Sequence, residues 1–482
     1  MPTPDLLARA ELVVRSRRPH LVGVAGAAMR SLAALFVALG KEVSGSDSGS
    51  AADLGVLAGQ GVHATHGHDA RNVDGADLVV VSAAIPTDNP ELEAARRRGI
   101  PILSHAQALG GLMATRDGIG VAGTHGKSTT TALVAHILAV AGRDPTLAGG
   151  ADAPDFGGYA RLGHGPELVA EADEFGRRFL ELHPRVAIVT AVEPDHLDYY
   201  GSFEAVNEAF QRFVDGMDPH GVVVTCEDEP NLAALPLARR RIRYGWAGNA
   251  HWRLERFIAC AGGGARFVVR RPDGTRAEYT TRLTGRHQAA NAVAALAVAC
   301  ELGVADEAAP EAVATFRGTL RRFETLALRD GIWIVDDYAH HPTAVVANLA
   351  AAREAHAGRL VAVFQPHTTH RTVTLRDQFA AAFQDADRVV VTPIYQPTGR
   401  SVGPPEITAD DLVRQMSHPN ATAVRSLDAA YDLVMRELRP GTLVIVLGAG
   451  DVTSLAHRLA TTVDSGAIAA VAPVGARAGA AR

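Results

Sequence analysis

Residues 121–131, VAGTHGKSTTT, place glycines, a lysine and hydroxyl side chains between a predicted buried strand and a predicted helix. Glycines at such a junction let backbone N–H groups surround phosphate oxygens, and the helix N-terminus adds a partial positive charge. Lys127 would neutralise phosphate charge and the Ser128 hydroxyl would ligate Mg²⁺. Val121 replaces the first glycine of the strict GxxxxGK[ST] pattern, so a turn that only caps the helix is the alternative. The strand-loop-helix setting favours phosphate binding.

Lysine is almost absent from the chain. Of 47 Lys and Arg residues, only Lys41 and Lys127 are lysines. A compact ammonium reaches between phosphates more easily than a planar guanidinium does, which supports a chemical role for Lys127. Lys41 begins a predicted strand, and we expect it to be solvated.

Acidic and imidazole side chains follow two later strands of the same block, in LVAEADE (168–174) and VEPDHLDYY (192–200). The carboxyl ends of parallel strands face one crevice, so Glu171 and His196 could converge on the phosphate and its metal ion. Mg²⁺ prefers carboxylate oxygens, and an imidazole ligand is less usual. Solvated loop ends are the alternative for both residues.

A second glycine turn, GVAGAAM (23–29), lies near the N-terminus, with Asp47 about twenty residues further on. The spacing is similar to a dinucleotide-binding turn, but Ala25 and Ala28 stand where glycines would allow close approach of a diphosphate. Binding of a nucleotide diphosphate and a plain strand-to-helix turn remain equally open.

Histidines gather in three later segments: GRHQAAN (285–291), DDYAHHPTAV (336–345) and FQPHTTHRT (364–372). His287 and Asn291 share one helix face, as an adenine or ribose contact would need, but from spacing alone a helix N-terminus with a polar first turn is slightly favoured. Arg371 can offer bidentate donors to a carboxylate or phosphate. Solvated loop histidines are again the alternative.

These residues need parallel strands to position them, and the hydrophobic pattern supplies such strands. Short apolar runs alternate with helical patterns from end to end, which predicts an α/β protein. A region of alternating aromatic, aliphatic and Arg residues from Arg241 to about Thr281 predicts a hairpin-rich insert. The predicted strands lie at 20–26, 41–47, 77–85, 118–123, 167–173, 185–192, 221–228, 331–338, 359–367, 388–395 and 442–450.

Composition limits the class of protein. A chain of 482 residues with 47% hydrophobic residues should form two or three domains. The net charge of -6 gives no indication of non-specific nucleic-acid binding. No apolar run is long enough for a membrane span. Three separated cysteines and an N-terminus without an apolar signal region predict a cytoplasmic protein.

Eight short motifs occur along the chain in the order typical of one known protein family. The chain resembles the Mur ligase family in the segments GTHGKSTT, EADE, DHLDYYGSF, GRHQAAN, RRFE, DDYAHHPT, FQPHTTHRT and GAGD. The resemblance implies a Rossmann-like N-terminal domain (1–115), a central P-loop ATPase domain with a mostly parallel sheet (116–322) and a Rossmann-like C-terminal domain (323–465). Residues 466–482 would then be a disordered tail.

The resemblance also implies an activity, closest to the alanine-adding branch of the family. ATP would phosphorylate the carboxylate of UDP-N-acetylmuramate, and L-alanine would attack the acyl phosphate, with Mg²⁺ as cofactor. The protein would be a monomer or homodimer that binds neither nucleic acid nor membrane. Two alternatives remain: a recycling ligase that attaches a murein tripeptide, and a divergent nucleotide-binding protein without this activity. An oxidoreductase using the N-terminal turn for NAD is disfavoured by the missing glycines.

The resemblance implies site roles for the residues of this chain that match the family's motif positions. The catalytic residues would be Lys127, Glu171 and His196, and the metal ligands Ser128, Glu171 and His196. UDP-sugar contacts would come from Gly23, Gly26, Asp47 and Ser82, and amino-acid contacts from His340, His367 and Arg371. ATP contacts would come from Gly123, Thr124, His125, Gly126, Lys127, Ser128, Thr129, His287, Asn291, Arg322 and Asp337.

Departures from the family pattern occur at five positions: Ala25, Ala28, His105, Gln288 and Ala344. His105 stands where the family usually has Arg, and Gln288 replaces the first Asn of GxHNxxN. Ala344 replaces a Glu usual in the alanine-adding branch, which keeps the tripeptide alternative open. No lysine follows Lys127, which excludes siblings that use a carbamylated lysine.

Overall fold

The computed structural model describes residues 3–397 and 407–466, and the chain divides into two compact units. The first unit comprises Met1–Ala259 and Gly264–Leu320, and the second comprises Cys260–Gly263 and Arg321–Arg482. Apart from Gly466, the predicted tail lies outside the described residues. None of the described helices has the length and apolar character needed to cross a bilayer.

The first unit begins with a five-stranded parallel sheet in the order β3-β2-β1-β4-β5. The strand order reverses at β1, which creates the crevice where ligands bind in open α/β sheets. The elements are α1 (Pro4–Arg15), β1 (Pro19–Val22), α2 (Ala27–Ala38), β2 (Ser44–Asp47), α3 (Ala51–Gly59), β3 (His63–His66), β4 (Leu78–Val81), α4 (Pro90–Arg97), β5 (Ile102–Ser104) and α5 (His105–Met113).

A ten-stranded sheet completes the first unit, in the order β15-β14-β13-β12-β11-β10-β6-β9-β7-β8. Its elements are β6 (Asp117–Ala122), α6 (Lys127–Val140), β7 (Thr146–Ala153), β8 (Gly158–Arg161), β9 (Glu167–Glu171), β10 (Val186–Val189), α7 (Leu197–Tyr200), α8 (Phe203–Asp215), β11 (Val222–Cys226), α9 (Pro230–Ala233), β12 (Arg240–Gly245), β13 (Trp252–Ala259), β14 (Ala265–Arg270), β15 (Arg276–Thr281), α10 (Arg286–Glu301) and α11 (Ala308–Thr315). Strands β13, β14 and β15 pair antiparallel, which confirms the predicted hairpin-rich insert.

One hydrophobic core runs through both sheets of the first unit, from Val13 to Phe316. An ion pair between Arg9 and Glu181 joins the two parts at the surface. Helix α5 packs so closely that a Cβ at Gly110 would overlap the carbonyl of Glu181. The two sheets are therefore held in one body, and the boundary at residue 115 stays a prediction.

The second unit contains a six-stranded sheet in the order β16-β17-β21-β18-β19-β20, parallel except for the β16/β17 pair. Apolar clusters cover both of its faces, as a parallel sheet requires. The elements are β16 (Glu324–Arg329), β17 (Ile332–Asp337), α12 (Pro342–Ala355), β18 (Arg359–Phe364), α13 (Thr369–Thr374), α14 (Arg376–Ala381), β19 (Arg388–Val391), α15 (Ala409–Gln415), β20 (Ala421–Ala423), α16 (Leu427–Glu437), β21 (Thr442–Leu447) and α17 (Thr453–Asp464). With three sheets in the two units, the predicted α/β class is confirmed.

Lys41 corrects one expectation. Its ammonium donates to the carbonyls of Val13 at 2.8 Å, Val14 at 3.3 Å and Ser16 at 2.5 Å, so it caps the C-terminal turn of α1. The prediction of a solvated lysine was wrong because the carbonyls it binds lie more than twenty residues earlier in the chain.

Candidate active site

The glycine loop after β6 has a backbone that only glycine tolerates well. Gly123 has φ 133° and Gly126 has φ 79°. A Cβ at Gly123 would overlap the Thr190 hydroxyl, and one at Gly126 would lie 2.7 Å from Asn291 Oδ1. The loop is therefore packed between the end of β10 and the start of α10, with its N–H groups at the N-terminus of α6.

Lys127 is held by a carboxylate outside the predicted set of site residues. Its Nζ donates to Gly123 O at 2.5 Å and lies 2.9 Å from Glu174 Oε2. Burial would lower the pKa of Lys127, but Glu174, Glu171 and Asp173 outweigh burial and raise it. The ammonium stays charged beside the loop. Its place as the last residue of EADE was the only sequence signal for Glu174.

Glu171 lies directly beside the loop strand, because it pairs with Val121 in the β6/β9 register. Its Oε2 is buried without a hydrogen-bond partner among the described residues. A Cβ at Gly150 would overlap this carboxylate, so glycine keeps the space beside it open. Ser128 is buried in the first turn of α6. An unpaired carboxylate oxygen at the end of β9 and a hydroxyl in the first turn of α6 are the kinds of oxygen donor that Mg²⁺ prefers.

His196 lies on the other side of the loop strand, after β10, which pairs with β6. Its backbone is left-handed, with φ 54°, and its ring lies 4.7 Å from the Phe175 ring. The amide of His196 donates to Asp195 Oδ1 at 2.7 Å, which stabilises the turn. Glu171 ends one strand that pairs with β6, and His196 lies in the loop after the other, so their convergence on one metal ion stays a prediction.

The remaining predicted ATP contacts of the first unit surround the loop. His125 Nε2 lies 3.5 Å from Glu193 Oε2, and the Glu193 amide donates to Thr124 Oγ1 at 2.9 Å. Burial, with a smaller contribution from His125, lowers the pKa of His287 to about 4, so this imidazole is neutral at pH 7. Thr129 faces inward, with its hydroxyl 3.5 Å from that of Thr319.

The first sheet has its own glycine turn at the reversal of strand order. Gly23, with φ 82°, packs so closely on Ser82 that a Cβ would lie 2.9 Å from the serine Cβ. Asp47 accepts hydrogen bonds from the amides of Ala25 and Gly49, both at 2.8 Å. Asp47 therefore organises the turn that ends at Gly26, the N-cap of α2.

In the second unit, three predicted residues that follow β17 and β18 come together. The His340 and His367 rings lie 5.4 Å apart, and Arg371 Nη1 lies 3.4 Å from His367 Nδ1. The Tyr395 ring stacks on His367 at 5.7 Å. Tyr395, which follows β19, was not among the predicted site residues. The histidines, guanidinium and phenol form a polar cluster suited to a small zwitterion.

Arg322 and Asp337 lie at the start of the same unit. The Arg322 guanidinium is 4.8 Å from the centre of the Tyr338 ring. Asp337 accepts from the amides of Phe323 and Ala339, both at 2.7 Å, and burial raises its pKa to about 6. Asp337 thus orders the RRFE and DDYAHHPT segments around itself.

Comparisons with known proteins agree along the chain. Three family profiles match: the Mur ligase family catalytic domain over residues 18–117, the Mur ligase middle domain over 121–299, and the Mur ligase glutamate ligase domain over 321–450. A curated UDP-N-acetylmuramate--L-alanine ligase of Symbiobacterium thermophilum is 41% identical over 477 residues, which cover 96% of this chain and 98% of the relative.

The chain belongs to the Mur ligase family.

Other Mur ligases extend the comparison. A UDP-N-acetylmuramate--L-alanine ligase of Bradyrhizobium is 42% identical, and the match covers 91% of this chain and 96% of the relative. The crystal structure of the UDP-N-acetylmuramate-alanine ligase of Thermotoga maritima has a TM-score of 0.79 at 29% identity, covering 93% and 99% of the two chains. A murein peptide ligase of Psychrobacter arcticus has a TM-score of 0.69 at 26% identity, covering 95% and 100%.

At three positions that depart from the usual Mur ligase pattern, the structure shows which contacts the residue makes. The amide of Ala25 is bound by Asp47, so the turn forms without a glycine there. Gln288 accepts a hydrogen bond from Asn291 at 3.1 Å and so positions the residue beside Gly126. Ala344 packs against the core of the second unit. Ala28 and His105 both line a cavity of the first unit.

Proposed function

We propose that this Mur ligase joins L-alanine to the carboxylate of UDP-N-acetylmuramate, with hydrolysis of ATP to ADP and phosphate. The observation that carries the proposal is the match over 96% of this chain to a ligase of that name at 41% identity. It is supported by Lys127 at the start of α6, and by Glu171 at the end of β9 and His196 in the loop after β10, the two strands that pair with β6. The relatives that support this assignment match nearly end to end.

The first step is phosphoryl transfer. The β- and γ-phosphates of ATP bind at the glycine loop, where Lys127 donates to their oxygens while Glu174 holds its ammonium in place. A carboxylate oxygen of the sugar attacks the γ-phosphorus, the bond to the β-phosphate oxygen breaks, and an acyl phosphate and ADP form. Ser128, Glu171 and His196 would hold a Mg²⁺ ion, which would neutralise part of the phosphate charge.

The second step forms the amide bond. The amine of alanine, once deprotonated, attacks the acyl carbon, and the tetrahedral intermediate collapses with loss of inorganic phosphate. Arg371 binds the alanine carboxylate through paired N–H donors, and His340 and His367 orient the amino acid. A short polar cluster of this kind favours a small amino acid.

A release assay tests the proposal. The full chain is incubated with Mg·ATP and either, both or neither of UDP-N-acetylmuramate and L-alanine, and inorganic phosphate is measured. We expect release only when both co-substrates are present. A parallel panel of glycine, L-serine and a murein tripeptide measures the choice of amine, and faster turnover with the tripeptide would contradict the assignment to L-alanine.

A further inference from the structure

A cavity of about 240 Å³ lies within the first unit, between helices α2 and α5, the middle of strand β7 and the end of strand β9. Most of its lining is small or apolar, including Ala27, Ala28 and Leu109. Its polar lining consists of Ser31, His105, Glu171, Asp173 and Arg178. The cavity therefore extends from the predicted metal ligand Glu171 toward the first sheet.

Arg178 supplies the permanent positive charge among the side chains that line this cavity. The other basic group there, His105, is kept neutral at pH 7, because burial and the nearby Arg178 lower its pKa to about 4. Two carboxylates, Glu171 and Asp173, face the same space. Asp173 alone lies close to the guanidinium, 3.2 Å from Nη1.

The Arg178 side chain is held in place from several directions. Its Nε donates to the carbonyl of Phe175 at 3.0 Å, and its guanidinium lies 5.1 Å from the centre of the Phe175 ring. The next residue, Phe179, is fully buried and stacks on Phe213 at 4.9 Å. The preceding residues Gly176 and Arg177 both have left-handed backbone. A strained turn between two aromatic anchors thus aims one guanidinium into the cavity.

We propose that Arg178 binds the lactyl carboxylate of UDP-N-acetylmuramate and holds it beside Glu171 for phosphoryl transfer, an inference that rests on the proposed function. The attacking carboxylate must lie next to the glycine loop, and Glu171, paired with Val121, marks that end of the cavity. The turn residues Gly23, Asp47 and Ser82, which are predicted to contact the nucleotide diphosphate, do not line it. A guanidinium fork matches a carboxylate in geometry and charge.

The test compares two nucleotide sugars that differ only in the lactyl ether. UDP-N-acetylmuramate carries the carboxylate, whereas UDP-N-acetylglucosamine has the same diphosphate without it. For Arg178→Gln we expect the Kd of UDP-N-acetylmuramate, measured by calorimetry on the full chain, to rise about 10- to 100-fold, as for loss of a charged hydrogen bond. The Kd of UDP-N-acetylglucosamine should stay within about twofold, and Arg178→Lys should restore part of the affinity.

Arg177→Gln is the matched control, because it removes the same charge from the neighbouring position. Its guanidinium lies 5.6 Å from the Tyr200 ring, and the residue does not line the cavity. In turnover assays the Arg178 variant should raise KM for the nucleotide sugar and leave KM for ATP and alanine unchanged, whereas the Arg177 variant should change none of them.

Three results would overturn the inference. An equal rise in the Kd of both nucleotide sugars on Arg178→Gln would show that the guanidinium binds the diphosphate. A lower melting temperature with both Kd values unchanged would show that its role is structural. An unchanged Kd for both sugars would exclude any contact. If the wild-type chain neither binds UDP-N-acetylmuramate nor turns over, the proposed function itself fails, whereas failure of the Arg178 inference leaves wild-type turnover intact.

Discussion

Lys127 belongs to a motif of consecutive residues, but its ammonium contacts a side chain from another part of the chain. Its motif neighbours are adjacent in the chain, but Glu174, which holds its ammonium, is 47 residues away. Glu174 holds the Lys127 ammonium at the N-terminus of α6, where it would stabilise negative charge that develops on the transferred phosphoryl group.

Substitution of Lys127 tests this role. Lys127→Ala should lower kcat by two or more orders of magnitude, because charge stabilisation of this kind is typically worth about 10²- to 10³-fold. Lys127→Arg should recover little, since the broader guanidinium cannot replace a compact ammonium in the loop. Phosphate release under saturating substrates measures both. Wild-type-like turnover of the alanine variant would contradict the assigned role, and a circular-dichroism melt checks that each variant is folded.

The strands that were not predicted from the sequence are mostly edge strands. β3 and β5 border the first sheet, β8 borders the second, and β16 and β20 border the third. An edge strand has one neighbour and need not be buried on both faces, so it lacks the continuous apolar run that marks a central parallel strand. β3, for example, reads His-Ala-Thr-His and is largely exposed.

Helix α4 is attached to the first sheet through a buried carboxylate that the motifs did not indicate. Glu91, fully buried in its first turn, accepts from the Ser46 hydroxyl at 2.7 Å and from Asn72 at 2.5 Å. His68 lies 3.1 Å from Glu91 and His20 lies 3.7 Å away. Burial would raise the pKa of Glu91, but the nearby His20 imidazole and the hydrogen bonds from Ser46 and Asn72 outweigh burial and lower it to about 2.

This lowered pKa has a definite consequence for stability. A carboxyl with a folded pKa of about 2 contributes stability that is present above its unfolded pKa, about 4.3, and is lost as the pH falls through 4 toward 2. Glu91→Gln should destabilise the first unit by about 2 kcal/mol at pH 7 and reduce the dependence of stability on pH below 4.5. Urea unfolding at pH 7 and pH 3.5 measures both effects. Glu93→Gln is the control because its carboxylate lies at the surface of the same helix, and an equal effect there would contradict the role of Glu91.

Two units with separate hydrophobic clusters predict unfolding in more than one step. The core of the first unit runs from Val13 to Phe316, and the clusters of the second begin at Phe323. Tryptophans report on each, with Trp246 and Trp252 in the first unit and Trp333 in the second. A ligand raises the melting temperature of the part that binds it.

We therefore expect calorimetry of the full chain to show two transitions, of which UDP-N-acetylmuramate raises only the one belonging to the first unit. A ligand at 100 times its Kd stabilises by about 2.7 kcal/mol, which gives a shift of a few degrees for a unit of this size. Replacing Trp333 with Phe leaves only first-unit tryptophans, so fluorescence then assigns the transition. A single transition with equal calorimetric and van't Hoff enthalpies would contradict this expectation.

The sequence alone determined the fold class, the family and the contiguous parts of the site. The glycine loop, EADE, DDYAHHPT and FQPHTTHRT are short segments at the ends of predicted strands, and GRHQAAN begins a predicted helix. Their chemistry can be read locally because a phosphate-binding loop is built from consecutive backbone amides.

Only the tertiary structure decided which groups meet. Glu174 beside Lys127, Tyr395 on His367 and Arg178 in the cavity each depend on contacts between different elements. The partners of Lys41 could not be predicted from spacing either, because they are carbonyls at the end of α1. A side chain's partners are set by strand order, register and packing, and these depend on contacts between residues far apart in the chain. Residue spacing alone does not specify such contacts.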